Sequence, residues 1–243
     1  MASWGDGPGL AGRTAVVTGG SRGIGLAVAA KLAGEGARVA VVARNRGALE
    51  KAAAGIGAYA MTADVSREAD VKALTGRVRD TFGQDTPDIL VNAAGVFTLA
   101  AIAETEPADF AAHVAVNLVG PFLLMRAFLP GMLTRGSGHI VTIGSVAGYQ
   151  AFPANGAYSA SKFGVRGLHA VLDLELKGTG VRSTLVEPSA TDTDIWESVD
   201  RQVHAGLPER SEMLSADAVA DAVLFALTRP ESAAVRRMAL ERA

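Results

Sequence analysis

Three side chains in the middle of the chain could together protonate a carbonyl oxygen. Tyr158 and Lys162 are four residues apart, so a helix would place a phenol and an ammonium group one turn apart on one face. Ser145 lies thirteen residues before Tyr158, where a strand-like run, residues 139–144, ends. These groups could bind a carbonyl oxygen and supply its proton as hydride reaches the carbon. Taken alone, such a pair often just decorates a helix surface.

A glycine-rich turn near the N-terminus has the composition of a phosphate-binding loop. Residues 18–25 read Thr-Gly-Gly-Ser-Arg-Gly-Ile-Gly, between an apolar run and a helical pattern. Glycines let the backbone approach a pyrophosphate, and the next helix offers free N–H groups at its positive dipole end. The turn predicts a dinucleotide site, although its spacing differs from Gly-x-Gly-x-x-Gly. The residues expected at the phosphates are Gly19, Ser21, Arg22, Gly23, Ile24 and Gly25.

The residues after the second predicted strand favour a phosphorylated ribose. Residues 41–46 contain no carboxylate for a ribose 2′-OH, whereas Arg44 can pair with a 2′-phosphate and Arg22 can flank it. NADP(H) is therefore favoured over NAD(H), unless both arginines are merely solvated. Asp64 and Val65 could contact the adenine, but Asp64 could equally cap the following helix.

Strands and helices alternate along the chain in the order needed to bring these groups together. The alternation predicts a single-domain, doubly wound parallel sheet of the Rossmann type, with helices on both faces. Its ligands would bind beyond the carboxyl ends of the strands, where the groups above fall. Gly120-Pro121 should bend the longest helix. The predicted strands are 14–18, 38–43, 58–62, 88–91, 139–144, 181–187 and 235–240, and the predicted helices are 24–35, 46–54, 66–82, 107–133, 158–177 and 216–227.

Composition and charge exclude several classes of protein. Of the 243 residues, 49% are hydrophobic and 5% aromatic, which predicts a core of Ala, Val, Leu and Ile. The net charge of −2 favours neither nucleic acid nor an anionic membrane as a partner. The absence of cysteine excludes disulfides and thiolate chemistry and fits a reducing cytoplasm.

The ends of the chain and its loops add further expectations. We expect residues 1–12 to be a flexible segment without the apolar core of a signal peptide, and residues 13–243 to form one catalytic domain. No run of about 18 apolar residues predicts a membrane span, so a soluble, cytoplasmic protein is expected. Residues 189–214 are interpreted as a mobile lid over the substrate. The histidines lack ligand spacing, so no metal site is predicted: His113, His139, His169 and His204.

Together these segments resemble the short-chain dehydrogenase/reductase family, from Arg13 to about Leu240. Residues 18–25 match its Thr-Gly-x-x-x-Gly-x-Gly turn, and residues 92–95 match its Asn-Asn-Ala-Gly segment with Ala93 as the second residue. Arg22 and Arg44 look like the basic pair of its NADP-preferring members. Four residues fall where the family places its catalytic tetrad: Asn117, Ser145, Tyr158 and Lys162.

The resemblance implies an NADPH-dependent reductase of ketones or aldehydes, or an oxidoreductase that oxidises secondary alcohols in reverse. Tyr158 is the expected general acid and Ser145 the hydrogen-bond donor to the substrate oxygen. Lys162 is expected to lower the pKa of Tyr158 from about 10 and to bind the nicotinamide ribose. Asn117 is expected to hold a water that links Lys162 to solvent.

Other positions follow from the same resemblance. Asn92, Ala93 and Gly95 should lie along the cofactor, and Pro188 and Thr193 beside the nicotinamide, where Ser189 replaces the family's glycine. Family members commonly assemble through two long helices, so a homo-tetramer or homo-dimer is expected.

The substrate is open at this level. Candidate pocket residues follow the strand ends and favour an apolar or ring-bearing compound, although core packing explains each equally well. A 3-oxoacyl carrier-protein reductase is conceivable, with Arg135 and Lys177 as candidates for docking an acidic carrier. Rival functions are an epimerase or dehydratase with tightly held NAD, and a dinucleotide sensor or scaffold without catalysis. The candidate pocket residues are Val96, Phe97, Ser145, Val146, Tyr149, Phe152 and Trp196.

Overall fold

The computed structural model describes residues 9–199 and 206–243. Residues 1–8 of the predicted flexible segment, His204 and residues 200–205 of the predicted lid therefore lie outside the described residues. Residues 9–12 belong to the domain, because Leu10 is buried in the core and Gly12 N–H donates to the carbonyl of Gly36.

A seven-stranded parallel sheet forms the centre of the molecule, in the order β3-β2-β1-β4-β5-β6-β9. Its central strands are apolar, β-branched and buried on both faces, as parallel sheets require. Two further short strands, β7 and β8, pair outside it. The strands are β1 (Thr14–Thr18), β2 (Arg38–Ala43), β3 (Tyr59–Thr62), β4 (Ile89–Asn92), β5 (Gly138–Ile143), β6 (Val181–Pro188), β7 (Thr191–Asp192), β8 (Leu214–Ser215) and β9 (Arg237–Leu240).

Helices cover both faces of the sheet, which confirms the predicted doubly wound fold. One core lies under α3, α5 and α6, and the other under α1, α2 and α7. Every strand and helix predicted from the sequence is present, with ends displaced by at most two residues. The helices are α1 (Gly23–Gly34), α2 (Arg46–Ile56), α3 (Glu68–Phe82), α4 (Pro107–Val114), α5 (Gly120–Arg135), α6 (Gly156–Glu175) and α7 (Ala216–Leu227).

A π-helical turn, Ala115–Val119, joins α4 and α5 into one helical stretch. The interruption predicted at Gly120-Pro121 takes this form because Pro121 has no N–H to donate to the carbonyl of Asn117. The whole stretch, Pro107–Arg135, is long and apolar enough to cross a membrane, with a mean hydropathy of 1.5. Half of its apolar window is buried within the domain, as in the core helix of a globular protein.

The strand order reverses between β1 and β4, which opens a crevice at their carboxyl ends. Thr18, the last residue of β1, ties the two strands together through its hydroxyl group. The hydroxyl donates to the carbonyl of Val91 at 3.2 Å and accepts from Ala93 N–H at 3.1 Å and Ala94 N–H at 3.2 Å. One side chain therefore sets the loop after β4 against the glycine turn.

Candidate active site

The glycine turn is packed so closely that larger residues would not fit. A Cβ on Gly19, which has a φ of +69°, would lie 2.8 Å from the carbonyl oxygen of Ala93. A Cβ on Gly25 would overlap the carbonyl oxygen of Gly19. α1 begins at Gly23, and no side chain caps its N-terminus, because Arg22 has no acceptor. The turn thus presents bare backbone and the positive end of a helix to the crevice.

A cavity of about 1260 Å³ runs along the carboxyl edge of the sheet from this turn to Tyr158 and Trp196. It is large enough for a dinucleotide and a small substrate together. All the predicted cofactor residues except Asn92 line it: Gly19, Ser21, Arg22, Gly23, Ile24, Gly25, Arg44, Asp64, Val65, Ala93, Gly95, Tyr158, Lys162, Pro188 and Thr193.

Arg22 and Arg44 line the cavity as exposed cations. Neither forms an ion pair with any residue in the described ranges 9–199 and 206–243, so both guanidinium groups are available for an anionic ligand. Asp64 accepts from the N–H of Ser66 at 3.0 Å and from its hydroxyl at 2.7 Å. Burial raises the pKa of Asp64, but these hydrogen bonds and the charge of Arg44 outweigh it, so the pKa is lowered. Asp64 thus orders the turn before α3 and also faces the cavity.

The two predicted asparagines lie behind the cavity wall rather than on it. Asn117, in the π-helical turn, accepts from Val96 N–H at 2.9 Å and donates to its carbonyl and to the hydroxyl of Ser161, both at 3.0 Å. It therefore joins the loop after β4 to α6 and positions the residues around it. Asn92 is buried at the end of β4, where its amide lies 3.5 Å from the hydroxyl of Thr142. Neither side chain is placed for direct contact with a ligand in this cavity.

Ser145, Tyr158 and Lys162 converge on one wall of the cavity. β5 ends just before Ser145, and α6 carries the other two residues one turn apart. The Lys162 ammonium nitrogen lies 5.5 Å from the centroid of the Tyr158 ring and donates to the carbonyl of Ile143 at 2.9 Å. The hydroxyl group of Ser145 acts on the phenol and lowers its pKa. The spacing seen in the sequence thus becomes a hydroxyl, a phenol and an ammonium group in one place.

Burial controls the protonation of these groups. It raises the pKa of Tyr158 to about 12, and the hydroxyl group of Ser145 offsets this rise only in part. It also lowers the pKa of Lys162 to about 8. The pKa of Tyr158 is thus raised, not lowered as predicted, because removing the phenol from water disfavours the phenolate. Tyr158 is only partly accessible and borders the cavity.

Aromatic rings form the opposite end of the cavity. The Phe97 ring lies between Tyr158 and Trp196, with centroid distances of 4.8 Å and 5.0 Å, and Phe152 and Val146 also line the wall. We call this part the substrate end.

Tyr149 does not line the cavity, contrary to the prediction. The 3-10 turn after Ser145 directs it away, and its ring lies under the Arg166 guanidinium group at 5.0 Å. Gln150, the next residue, borders the cavity instead.

Ser189 fits its position without strain. Its N–H donates to the carbonyl of Leu240 at 2.8 Å, which fastens the end of β6 to β9. Among the described non-glycine residues only Ala154 has a positive φ, so Ser189 needs no backbone conformation special to glycine. The departure from the family's glycine therefore leaves the backbone ordinary here.

Sequence reasoning missed two features of the site. Thr18 is a polar residue at the end of an apolar strand, which was a signal that its hydroxyl binds a neighbouring segment. The signal could be used only if the neighbouring strand were known. Asn155, which precedes α6, also lines the cavity, and its buried Oδ1 has no hydrogen-bond partner in the described part of the chain. No pattern in the sequence pointed to it.

Comparison with known proteins agrees with this fold. The family model of short chain dehydrogenases matches residues 13–204. The glycine betaine reductase ATRR of Emericella nidulans is 40% identical over 240 residues, which cover 96% of this chain but 19% of that protein. The chain thus spans about a fifth of that relative's length. The uncharacterized oxidoreductase SERP2049 of Staphylococcus epidermidis is 34% identical over 230 residues, 94% of this chain and 96% of the relative.

A solved structure gives the same result in three dimensions. A metagenomic short-chain oxidoreductase in complex with NADP superimposes with a TM-score of 0.82 and 33% identity, covering 97% of this chain and 99% of that one. The family match covers residues 13–204, and the superposition covers 97% of the chain. The protein therefore belongs to the short-chain dehydrogenase/reductase family and is an oxidoreductase.

Proposed function

We propose that the protein is an NADPH-dependent carbonyl reductase, which reduces a ketone or aldehyde and can oxidise a secondary alcohol in reverse. The observation that carries this proposal is the convergence of Ser145, Tyr158 and Lys162 on one wall of the cavity that begins at the glycine turn. A phosphate-binding end and a proton-donating end of one cavity are what hydride transfer to a carbonyl requires.

The residues of the nucleotide end fit NADP(H). Bare backbone at Gly19 and Gly25 leaves room for a pyrophosphate, and the N-terminus of α1 favours its charge. Arg22 and Arg44 are placed to pair with a 2′-phosphate, and residues 41–46 contain no carboxylate that would repel it. The NADP complex of the metagenomic relative supports the same choice.

The chain's own residues would bind and protonate the substrate. When bound, the reduced nicotinamide supplies a hydride ion, which no side chain can supply. Ser145 would donate a hydrogen bond to the carbonyl oxygen and stabilise the negative charge that develops on it. Tyr158, with a pKa of about 12, is protonated throughout the neutral range. It can give its proton to an alkoxide, which is a much stronger base than a phenolate.

Lys162 would act after proton transfer, when a phenolate remains on Tyr158. Its ammonium group lies near the ring and stabilises the anion by charge. Because burial lowers the pKa of Lys162 to about 8, this help is present below that pH and lost above it. Asn117, which holds the loop after β4 and α6 together, would position both elements, and we also propose for it the family's role of holding a water.

The test is NADPH consumption, followed by absorbance, with a panel of aldehydes, cyclic ketones and 3-oxoacyl thioesters. The panel includes aldehydes with a trimethylammonium group, the group present in the glycine betaine for which one relative is named. In Tyr158→Phe we expect the rate to fall by about 10²- to 10⁴-fold, because the general acid is lost. NADPH affinity, measured by fluorescence titration, should stay within a few-fold.

Two outcomes would contradict the proposal. Full activity in Tyr158→Phe would remove the general acid from the mechanism. Tight NADPH binding without consumption across the panel would favour a sensor or scaffold, and conversion of substrate without net NADPH consumption would favour an epimerase or dehydratase. The complete set of Ser145, Tyr158 and Lys162 speaks against the sensor, and Arg44 speaks against the NAD-holding enzymes.

We also propose that the protein is a homo-oligomer. Five apolar side chains on α5 and α6 are between 41% and 62% exposed. α6 lies against the π-helical turn that leads into α5, since a Cβ on Gly164 would lie 2.7 Å from Leu118 of that turn. We call this surface the helix face; it consists of Phe122, Leu133, Phe163, Val171 and Leu174.

A further inference from the structure

Three rings at the substrate end form a corner rather than a flat wall. Phe97 meets Tyr158 at an interplanar angle of 78° and Trp196 at 68°, both edge to face. We call these three residues the aromatic corner. Because neighbouring rings are nearly perpendicular, a rounded group that enters the corner would meet the face of one ring and the edge of the next.

The corner is held in place by the protein. The indole N–H of Trp196 donates to the carbonyl of Thr191 at 3.0 Å, which fixes the ring next to β7. Phe97 is 8% exposed and packed between its two neighbours. A ligand therefore need not order these side chains on binding, so little affinity is lost to conformational entropy.

An exposed carboxylate belongs to the same turn as Trp196. Asp194 lines the cavity and shares a 3-10 turn with Trp196. Among the described residues that line the cavity, the cations are Arg22, Arg44 and Lys162. The first two lie at the nucleotide end, and the ammonium group of Lys162 is turned to the carbonyl of Ile143.

We propose that this pocket selects carbonyl compounds that carry an ammonium group, with a quaternary trimethylammonium as the best fit. The proposal rests on the reductase function proposed above and names its substrate class. The carbonyl would lie at Tyr158 and Ser145, and the ammonium group in the aromatic corner towards Trp196. Trp is the strongest aromatic partner for a cation, and a quaternary ammonium needs no hydrogen bonds when it leaves water. Carboxylate substrates are disfavoured because Asp194 repels them.

The reaction balances as a two-electron reduction. The aldehyde carbon gains a hydride from NADPH and forms a C–H bond, while the C=O π bond breaks. The oxygen takes the proton of Tyr158, which is replaced from solvent. The products are the primary alcohol and NADP⁺, and the ammonium group is unchanged.

The experiment compares two aldehydes of the same shape, trimethylammonioacetaldehyde and 3,3-dimethylbutanal, in which carbon replaces the charged nitrogen. Initial rates of NADPH consumption are measured at several concentrations and corrected for the hydrated fraction of each aldehyde. We expect kcat/KM for the cation to exceed that for the neutral compound by about 5- to 30-fold, the range that cation–π binding gives in a desolvated site. The corresponding alcohols, tested as competitive inhibitors, should show the same order without the hydration correction.

Variants assign the preference to the corner. Trp196→Leu should reduce the cation-to-neutral ratio to near one while leaving NADPH affinity unchanged, and Trp196→Phe should keep part of it. Asp194→Asn should reduce the ratio by about 2- to 5-fold, more at low salt than at high salt. Glu197→Gln is the matched control, because Glu197 is an exposed carboxylate in the same turn but does not line the cavity.

The possible results distinguish a failure of the ammonium preference from a failure of the proposed carbonyl reductase function. Equal or better reduction of 3,3-dimethylbutanal would overturn the ammonium preference and leave the carbonyl reductase in place. Rejection of both aldehydes, with other panel compounds reduced, would overturn it as well. Failure of every carbonyl compound would instead remove the proposed function itself. A cation preference that survives in Trp196→Leu would overturn the assignment to the aromatic corner.

Discussion

The side chain of Lys162 is buried, and its ammonium group donates a hydrogen bond to the carbonyl oxygen of Ile143. The same burial that lowers its pKa to about 8 raises that of Tyr158 to about 12. Both shifts favour the neutral forms, so the resting site holds a protonated phenol beside a weakly held ammonium charge. A general acid that keeps its proton until an alkoxide forms suits reduction better than one ionised in advance.

Arg44 is expected to bind the phosphorylated ribose of NADPH. It is exposed, lines the cavity and has no ion-pair partner within the described chain, so its contribution should appear only with a phosphorylated ribose. In Arg44→Ala we expect kcat/KM with NADPH to fall by about 10- to 100-fold, since hydrogen bonds to a charged group contribute about 1.5–3 kcal/mol. The value with NADH, which lacks the phosphate, should hardly change.

The control is the next arginine along the chain. Arg46 pairs with Glu50 at 2.8 Å and does not line the cavity, so Arg46→Ala should leave both cofactors unaffected. Equal losses with NADPH and NADH in Arg44→Ala would show that Arg44 supports the fold of the loop rather than the phosphate.

Single residues could be assigned from the sequence where their contacts are local in the chain, and not where the contacts involve distant segments. Tyr158 and Lys162 could be placed together because helical spacing is local. The pKa of Tyr158 could not, because it depends on burial by segments distant in the chain. Tyr149 was misplaced for a similar reason: one turn of 3-10 helix decides which of two adjacent side chains faces the cavity.

The π-helical turn between α4 and α5 connects a feature of the sequence, Pro121, to the candidate active site. Pro121 cannot donate a helical hydrogen bond, and the turn just before it carries Asn117. From there the side chain of Asn117 reaches Val96 on one element and Ser161 on another. A break in a long helix thus becomes the joint between the loop after β4 and the catalytic helix.

The helix face is expected to be a contact between copies of the protein. Five exposed apolar side chains on α5 and α6 would be covered if two copies pack through these helices. We expect sedimentation velocity to show a dimer or tetramer at micromolar concentration. Phe163→Glu should shift the protein towards smaller species, because a carboxylate would be buried in the contact.

The control for this variant is another exposed apolar residue. Ile102 is 85% exposed and lies outside the helix face, so Ile102→Glu should leave the assembly unchanged. A monomeric wild-type protein would contradict the proposal directly. An unchanged oligomer in Phe163→Glu would place the contact elsewhere.

The longer strands and helices could be predicted from the sequence, whereas the shortest elements could not. β1 and β4 were recognisable as short, buried, β-branched runs, and α3 and α7 by their helical periodicity. The two-residue strands β7 and β8 escaped prediction because such short pairs have no periodicity of their own. The π-helical turn escaped it too, since a proline predicts an interruption but not its form.

Two titratable side chains are buried in the core of the molecule. His139 of β5 and His169 of α6 are both nearly inaccessible. His139 contacts the hydroxyl of Thr184 at 2.8 Å through Nε2, whereas neither ring nitrogen of His169 has a partner in the described chain. Burial lowers the pKa of His139 to about 3 and that of His169 to about 4, although Asp173 acts in the opposite direction on His169.

These histidines predict that the fold loses stability in mild acid. An unfolded histidine has a pKa of about 6.5, so between that pH and about 4 the unfolded chain binds more protons than the folded one. Stability is therefore complete above about pH 6.5 and falls as the pH drops, by on the order of a few kcal/mol at pH 4.5 since each pKa unit is worth about 1.36 kcal/mol. Urea unfolding at pH 7.5, 6.0 and 4.5 measures this fall.

In His169→Met, which keeps an apolar volume but cannot titrate, we expect a shallower fall and equal or greater stability at pH 7.5, because two unpartnered ring nitrogens are removed. The same pH slope in both proteins would show that His169 does not govern the acid limb and that carboxylates elsewhere do.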